Sequence, residues 1–348
     1  MGMSKFLKSM SLFFGLMLLL GLLSGCGVPN DPKPIALNIE DYYPIQENVR
    51  YVYEGIGNEY ASYDVYIDYT SDDKIQQRVD NGGTVIARVI ERKNGKLTRS
   101  LSRGETYHRE NYLEVRDDTV EVLLMEPLEE GTTWTLNDGR KRSITNISAD
   151  VTTPLGDYKA IEVVTEGPND ITTDYYAKDV GLVKSIFTSE GSEVSSSLKE
   201  IEEDASHVQV IQFYFPNMND SKIYFKNKEV SFRTNDITSQ ILEEAYKGAI
   251  VDNLGEVFTT NTKINNLFLS NENKVMIDLN AAFVSEMNAG AQYESMILQS
   301  IANTFGQYFN AEEVVLTIEN KPYESGHIEM KEGESIKVDL ENAIELDV

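Results

Sequence analysis

Between residues 42 and 204 apolar and polar side chains alternate with period two, a pattern that buries one face of a sheet rather than one stripe of a helix. Val49, Tyr51 and Tyr53 alternate with Arg50, Val52 and Glu54, while Tyr63, Val65, Ile67 and Tyr69 mark a second strand. Further strands are predicted over 84–91, 119–124, 144–151, 158–164, 171–177 and 182–188. Asn81-Gly82-Gly83, Asn94-Gly95 and Asn137-Asp138-Gly139 supply turns. No strong helical period runs through this stretch. The expected unit, residues 42–204, is a mainly antiparallel β domain, curved or closed around one apolar face. Trp134, Tyr175 and Tyr176 are its candidates for a surface that stacks on a sugar ring; the alternative is that they wedge the sheet core.

Ahead of this domain, Lys5 and Lys8 precede an uncharged run from Ser9 to Gly25, built from Leu, Phe, Met, Gly and Ser. A basic start, apolar middle and small-residue end make residues 1–25 an export signal. The run closes in Leu23-Ser24-Gly25-Cys26, which resembles the lipobox of bacterial lipoproteins. That resemblance implies cleavage before Cys26, which would carry acyl lipid such as palmitate on its sulfur and amino group. The protein would then be lipid-anchored at the extracytoplasmic face of the bacterial cell membrane. An uncleaved transmembrane helix is the alternative, although the run is slightly short of a hydrocarbon layer. Cys26 is the only cysteine, so no intrachain disulfide staples the exported domains. Residues 26–41, with Pro29, Pro32 and Pro34, read as a flexible lipidated tether.

The charge balance limits the partners. With 57 Asp and Glu against 31 Lys and Arg, the net charge is −26, which argues against nucleic acid as a partner because phosphate is gripped by Lys and Arg. Anionic lipid would repel such a body, so contact with the membrane falls to the lipid on Cys26.

After Glu202-Glu203-Asp204 the pattern changes. An apolar strand over 207–215 is followed by a second from Lys222 and by a helix over 236–247, which Asn235 can cap and Gly248 can end in a left-handed exit. Strands follow at 263–269 and 274–279, then a helix over 292–308 in which Tyr293, Ile297, Ile301, Phe305 and Tyr308 recur three or four residues apart. A last strand covers 313–318, followed by the turn-prone Glu319-Asn320-Lys321-Pro322. Residues 205–330 are thus expected to form an α/β (α+β) domain with two principal helices packed on a sheet, and 331–348 an acidic C-terminal extension.

Residues from about 207 to 329 resemble the GerMN domain, named for a sporulation and spore-germination lipoprotein. The resemblance is carried by Gln212-Phe213-Tyr214-Phe215-Pro216, Tyr246-Lys247-Gly248, the Val275 to Asn280 strand, Ser300 to Phe305 and Val314 to Ile318. Family members commonly have Gly-Pro after the first helix, serine or threonine after the Asp-Leu pair and glycine in the turn after the last strand. This chain has Gly248-Ala249, Asn280 and Asn320 there. The resemblance implies an accessory module of sporulation, germination or other cell-envelope processes, with no catalytic set to lay on these residues.

Catalytic motifs are scarce. His108, His207 and His327 are widely separated, with no His-Glu-x-x-His phrase for zinc. There is no Gly-x-Ser-x-Gly elbow, P-loop or dinucleotide fingerprint, and no cofactor is expected. The turns at 217–220 and 271–273 offer oxygen ligands without the spacing of a calcium loop. Asp278, between apolar strand positions and near Glu286, is the candidate carboxylate; the alternative is that it faces solvent or caps the following chain. The resulting expectation is a membrane-tethered, non-catalytic envelope lipoprotein binding an envelope protein or peptidoglycan. Its rivals are a cell-wall hydrolase with paired carboxylates and a solute-binding lipoprotein with an inter-domain cleft.

Overall fold

The computed structural model describes residues 36–117, 120–249 and 253–346. The export signal, Cys26 and most of the tether lie outside the described residues. Packing begins ahead of the boundary drawn at residue 42. Asn38 Oδ1 accepts the Asp41 N–H at 2.9 Å and starts a one-turn helix, α1 (Ile39–Tyr42), whose Ile39 and Tyr42 are buried.

The alternating region forms one antiparallel sheet of twelve strands. Its first half comprises β1 (Val49–Ile56), β2 (Tyr63–Thr70), β3 (Lys74–Asp80), β4 (Val85–Lys93), β5 (Lys96–Arg103) and β6 (Glu121–Met125). Its second half comprises β7 (Thr133–Thr135), β8 (Lys141–Thr152), β9 (Asp157–Glu166), β10 (Asp170–Ala177), β11 (Gly181–Ser189) and β12 (Ser192–Glu203). Each half is a meander, and the two join where β1 pairs with β12, Val49 opposite Glu203. That leaves β6 and β7 as the sheet edges. They meet through side chains instead of a backbone ladder: Trp134 Nε1 and Arg142 Nη1 both donate to the Val122 carbonyl, at 3.0 and 2.8 Å. The sheet therefore curls around a lumen, as sheets of this size must curl, split or flatten.

The outer face of β3 carries Lys74, Gln76 and Arg78, which alternation alone would assign to solvent, yet all three are buried. The chain between β5 and β6 crosses them as a strap, and they satisfy its backbone. Arg78 donates to the Thr106 and His108 carbonyls (2.9 Å each), Gln76 to the Glu110 carbonyl (2.8 Å), and Lys74 to the Leu113 carbonyl (2.9 Å). Tyr112 and Leu113 of the strap pack with Tyr69, Ala87, Val89 and Leu101 beneath it.

The C-terminal half contains two sheets. One pairs β13 (His207–Asn217) with β14 (Lys222–Phe232) and β20 (Ala343–Glu345). The other runs β15 (Ile264–Leu269), β16 (Lys274–Leu279), β17 (Glu313–Ile318) and β18 (Lys321–Pro322), with β19 (Ile336–Lys337) also on β17. β16 and β17 are parallel and are connected through α3 (Ala282–Ser285) and α4 (Ala291–Phe309). Ile297, Ile301 and Phe305 of α4 join Phe213, Tyr246, Phe258 and Leu279 in one core. The expected α/β architecture with two principal helices on sheets is thus the observed one.

Two local expectations are corrected. The first long helix, α2 (Thr238–Lys247), has Ile237 at its N-cap without a side-chain cap bond. Asn235 instead adopts φ 67° and turns its amide toward β2, where bonds to Thr70 satisfy it better than a helix end would. Gly248 ends α2 at φ −81°, outside the left-handed region, because its N–H still reaches the Glu244 carbonyl of the last helical turn.

The C-terminal extension is packed along α4. Asn303, fully buried, donates to the Asp339 carbonyl and accepts the Asp339 N–H, mimicking a strand partner at 2.6 and 2.9 Å. Gly306 lets Val338 lie directly on the helix, since a Cβ at that position would come within 2.2 Å of Val338 Cγ2.

Candidate functional site

The sequence-selected carboxylates are absorbed by their own fold. Asp278 is 5% exposed; its Oδ1 accepts Thr317 Oγ1 at 2.6 Å and the Asn320 N–H at 2.7 Å, and its Oδ2 accepts Asn265 Nδ2 at 2.9 Å. It therefore caps the chain after β17, where Glu319 and Asn320 take φ values of 50° and 61°. Asparagine at 320 tolerates this left-handed position in the turn where the GerMN resemblance expects glycine. Glu286 accepts from Thr259 Oγ1 and Asn261 Nδ2, each at 2.7 Å, and so secures a loop.

Two further buried carboxylates of the C-terminal half escaped the sequence reading. Glu294 accepts Tyr323 Oη at 2.7 Å and also Ser325 Oγ. Glu243 accepts Lys263 Nζ, Lys247 Nζ and the Ile264 N–H at 2.8, 2.9 and 2.8 Å. Burial raises the Glu243 carboxyl, but these donors prevail and hold it below its usual value. Helical spacing of acids on surface positions gives no warning of either.

The turns considered for calcium are closed by ordinary bonds: Asn217 Oδ1 accepts the Asn219 N–H, Asp220 accepts the Lys222 N–H and Tyr224 Oη, and the Asn273 N–H donates to the Ser270 carbonyl at 3.0 Å. Among the described residues no group of three His, Cys, Asp or Glu is placed to hold a metal ion.

The aromatic candidates do not gather into a ring-stacking surface. Trp134, 8% exposed, closes the sheet at Val122. Tyr176, 3% exposed, points into the lumen, while its neighbour Tyr175 is half-buried on the opposite side of β10. Period two separates adjacent tyrosines to opposite faces, so the pair cannot act as one platform.

What the chain does build is a buried junction between its two halves. Arg109, carried by the strap and 1% exposed, inserts its guanidinium between β2 and the turn from β14 to α2. Nη2 donates to the Asp68 carbonyl (2.6 Å) and the Arg233 carbonyl (3.0 Å); Nη1 reaches Tyr69 Oη (2.8 Å), Thr238 Oγ1 (3.0 Å) and the Asp236 carbonyl. The cation also lies 4.1 Å from the centre of the Tyr69 ring. Arg109 N–H donates to Tyr308 Oη at 3.0 Å, which ties the strap to α4. Beside it, Asn48 and Thr234 exchange two bonds at 2.7 and 3.0 Å, and the Asn235 amide spans Thr70 and Glu47. Asp68 pairs with Arg78 at 2.9 Å in the same buried cluster.

A groove of about 440 Å³ runs along this junction, lined by residues that include Tyr107, His207, Val210 and Tyr308. His207 packs against the Tyr66 ring in a tilted arrangement, with centroids 4.8 Å apart. Burial pushes its imidazole down to about 4, reinforced by Arg78 and opposed by Asp68 and Asp80. The folded value lies below the unfolded one, so this site contributes stability that is complete above about pH 6.5 and is lost as pH falls toward 4. We expect His207→Gln to flatten the fall in melting temperature across that window. A slope unchanged by the substitution would remove His207 as a contributor.

The molecule is therefore a β-rich domain fixed to a mixed α/β domain through a buried polar junction. The family model Germane, described as sporulation and spore germination, matches residues 212–324. The C-terminal domain is GerMN-like. Among solved structures, the chain is similar to the first GerMN domain of the sporulation protein GerM from Bacillus subtilis, with 18% identity over 36% of this chain and 97% of that one, TM-score 0.28. It is also similar to the tandem GerMN domains of the same protein, with 14% identity over 37% of this chain and 46% of that one, TM-score 0.28. The present chain thus spans about half of the tandem. A Bacteroides fragilis structure described as having a YmcC-like fold shares 13% identity over 47% of this chain and 99% of its own, TM-score 0.31. No curated protein matches the chain. Among the described residues, no helix is long and apolar enough to cross a membrane.

Proposed function

We propose that this protein is an extracytoplasmic lipoprotein, anchored to the bacterial cell membrane through lipid on Cys26, and that its GerMN-like domain is a non-catalytic module docking on an envelope protein or on peptidoglycan. The process served is sporulation, germination or maintenance of the cell envelope. The observation that carries this reading is the Arg109 junction. It joins the β domain to the GerMN-like domain through bonds that leave the second domain a fixed orientation, which suits a scaffold presenting a binding module. The lipobox resemblance and the family match supply the setting. The committed carboxylates favour binding over hydrolysis.

Two measurements test it. Intact mass of the membrane-derived protein should begin at Cys26 with acyl lipid added; residues 1–25 still attached and no lipid would remove the anchor. Capture from solubilised membranes at low salt should retain an envelope protein or wall fragments. Retention of neither, or turnover of wall fragments by the purified chain, would overturn the scaffold reading.

A further inference from the structure

The lumen of the β domain is a cavity of about 480 Å³, within the range that small-molecule sites occupy. Its wall is unusual for so acidic a chain. Arg88 of β4, Arg99 of β5, Arg142 of β8 and Arg140 just ahead of β8 all line it, with only Glu121 and Asp174 as lining acids. Glu121 serves two of the four cations: it accepts Arg142 Nη2 at 2.6 Å and pairs with Arg99, while Arg140 pairs with Asp138 at 2.8 Å. Arg142 is further held by Thr165 Oγ1 at 2.6 Å. Asp174 receives Ser185 Oγ at 2.6 Å rather than a guanidinium, and burial pushes its carboxyl upward.

Arg88 is left over. Its side chain forms no ion pair and no hydrogen bond among the described residues, and its Nε is buried without a partner. Its strand neighbours Ile86 and Ile90 line the same cavity, so the guanidinium stands between two apolar side chains of β4. Burial pulls it below the usual arginine value. A cation without a partner in a largely desolvated lumen is costly to a fold, and an arriving anion would pair with it. Tyr43, Tyr63 and Tyr176 also line the lumen and offer ring surface beside the charge. Tyr43 follows α1 and is fixed by Gln77 Nε2 at 2.9 Å, while Tyr60, 53% exposed, marks where the cavity reaches solvent.

We propose that the lumen of the β domain binds a small organic oxyanion, its carboxylate or phosphate head paired with Arg88 and its body against the lumen tyrosines. This site goes beyond the docking role of the GerMN-like domain and lies inside one domain, away from the inter-domain cleft that the sequence associates with solute binding. Arg99 and Arg142, held by Glu121, set the positive field around the head group and leave Arg88 as the direct partner.

The test titrates the full chain with phenyl phosphate, benzoate and the neutral benzyl alcohol by calorimetry. Fluorescence of Trp134 provides a second signal: it is the only tryptophan and lies opposite Arg142 in register. At least one oxyanion should bind saturably and at least about tenfold more tightly than benzyl alcohol, and the preferred one identifies the head group. Arg88→Met should weaken that binding by about tenfold or more, with Arg88→Lys retaining part of it. Arg88→Met should also melt no lower than the parent, because it removes an uncompensated buried charge. The proposal is overturned if neither oxyanion saturates by roughly 10 mM, or if Arg88→Met binds as the parent does. A lower melting temperature for Arg88→Met and Arg88→Gln would also overturn it, since the guanidinium would then be serving the fold.

Discussion

Replacing Arg109 with methionine is expected to cost about 3–5 kcal/mol of stability, because it removes one side of a buried polar cluster while roughly keeping the volume. The carbonyls of Asp68, Arg233 and Asp236 lose their guanidinium donors, and Asp68 retains only Arg78. Arg109 bridges elements of both domains, so the loss should also be visible as uncoupling. Urea unfolding followed by Trp134, which lies in the β domain, should separate from unfolding followed by helical circular dichroism, which reports mainly on α2 and α4. Arg50→Met is the control: its pairs with Asp64 and Glu202 are partly exposed, and its loss should cost about 1 kcal/mol or less. Equal stability of the Arg109 and Arg50 variants, with coincident transitions, would mean that the junction does not couple the domains.

Asp278→Ala is the second large effect, expected at about 2–4 kcal/mol because three donors converge on a buried carboxylate. Without it the Asn320 N–H, Thr317 hydroxyl and Asn265 amide lose their acceptor, and the turn that leads into β18 is released. Hydrogen exchange at the Asn320 amide should accelerate markedly, whereas Asp278→Asn, which keeps an acceptor oxygen, should fall between the parent and the alanine variant. If Asp278→Ala leaves stability and Asn320 exchange unchanged, the carboxylate is free for other chemistry and the hydrolase alternative regains its strongest candidate.

The sheet elements legible in the sequence were those with one apolar and one polar face in the simple sense. β1, β2, β6 and β8 to β11 announced themselves in that way, β4 as a continuous apolar run, and the two long helices by their own period. β3 did not, because Lys74, Gln76 and Arg78 mimic a solvent face while being covered by the strap. Period two reports which residues share a side, and it is silent on what later covers that side. Arg109 gave no signal at all, since it lies in an irregular segment whose destination depends on two domains meeting. Arg88 left a trace that was readable in principle. In Val85-Ile86-Ala87-Arg88-Val89-Ile90 both faces of the strand are apolar, so the single cation must be enclosed on whichever side it falls. Trp134 and Tyr176 were visible as large aromatics, but whether each ring faced a partner or the interior was settled only by the closure of β6 against β7–β8.

The way β19 packs on α4 and β20 pairs with β14 imposes an order of events on a chain made from its N-terminus. The β domain pairs its first strand with β12 and has every strand in hand once residue 203 has emerged. The GerMN-like domain must wait longer: β14 lacks its parallel neighbour, and the amide of Asn303 its backbone mate, until residues 336–345 follow. Meanwhile an apolar helix flank stands open beside an already finished barrel, and that interval is when a half-made molecule is most exposed to proteases and to wrong pairings.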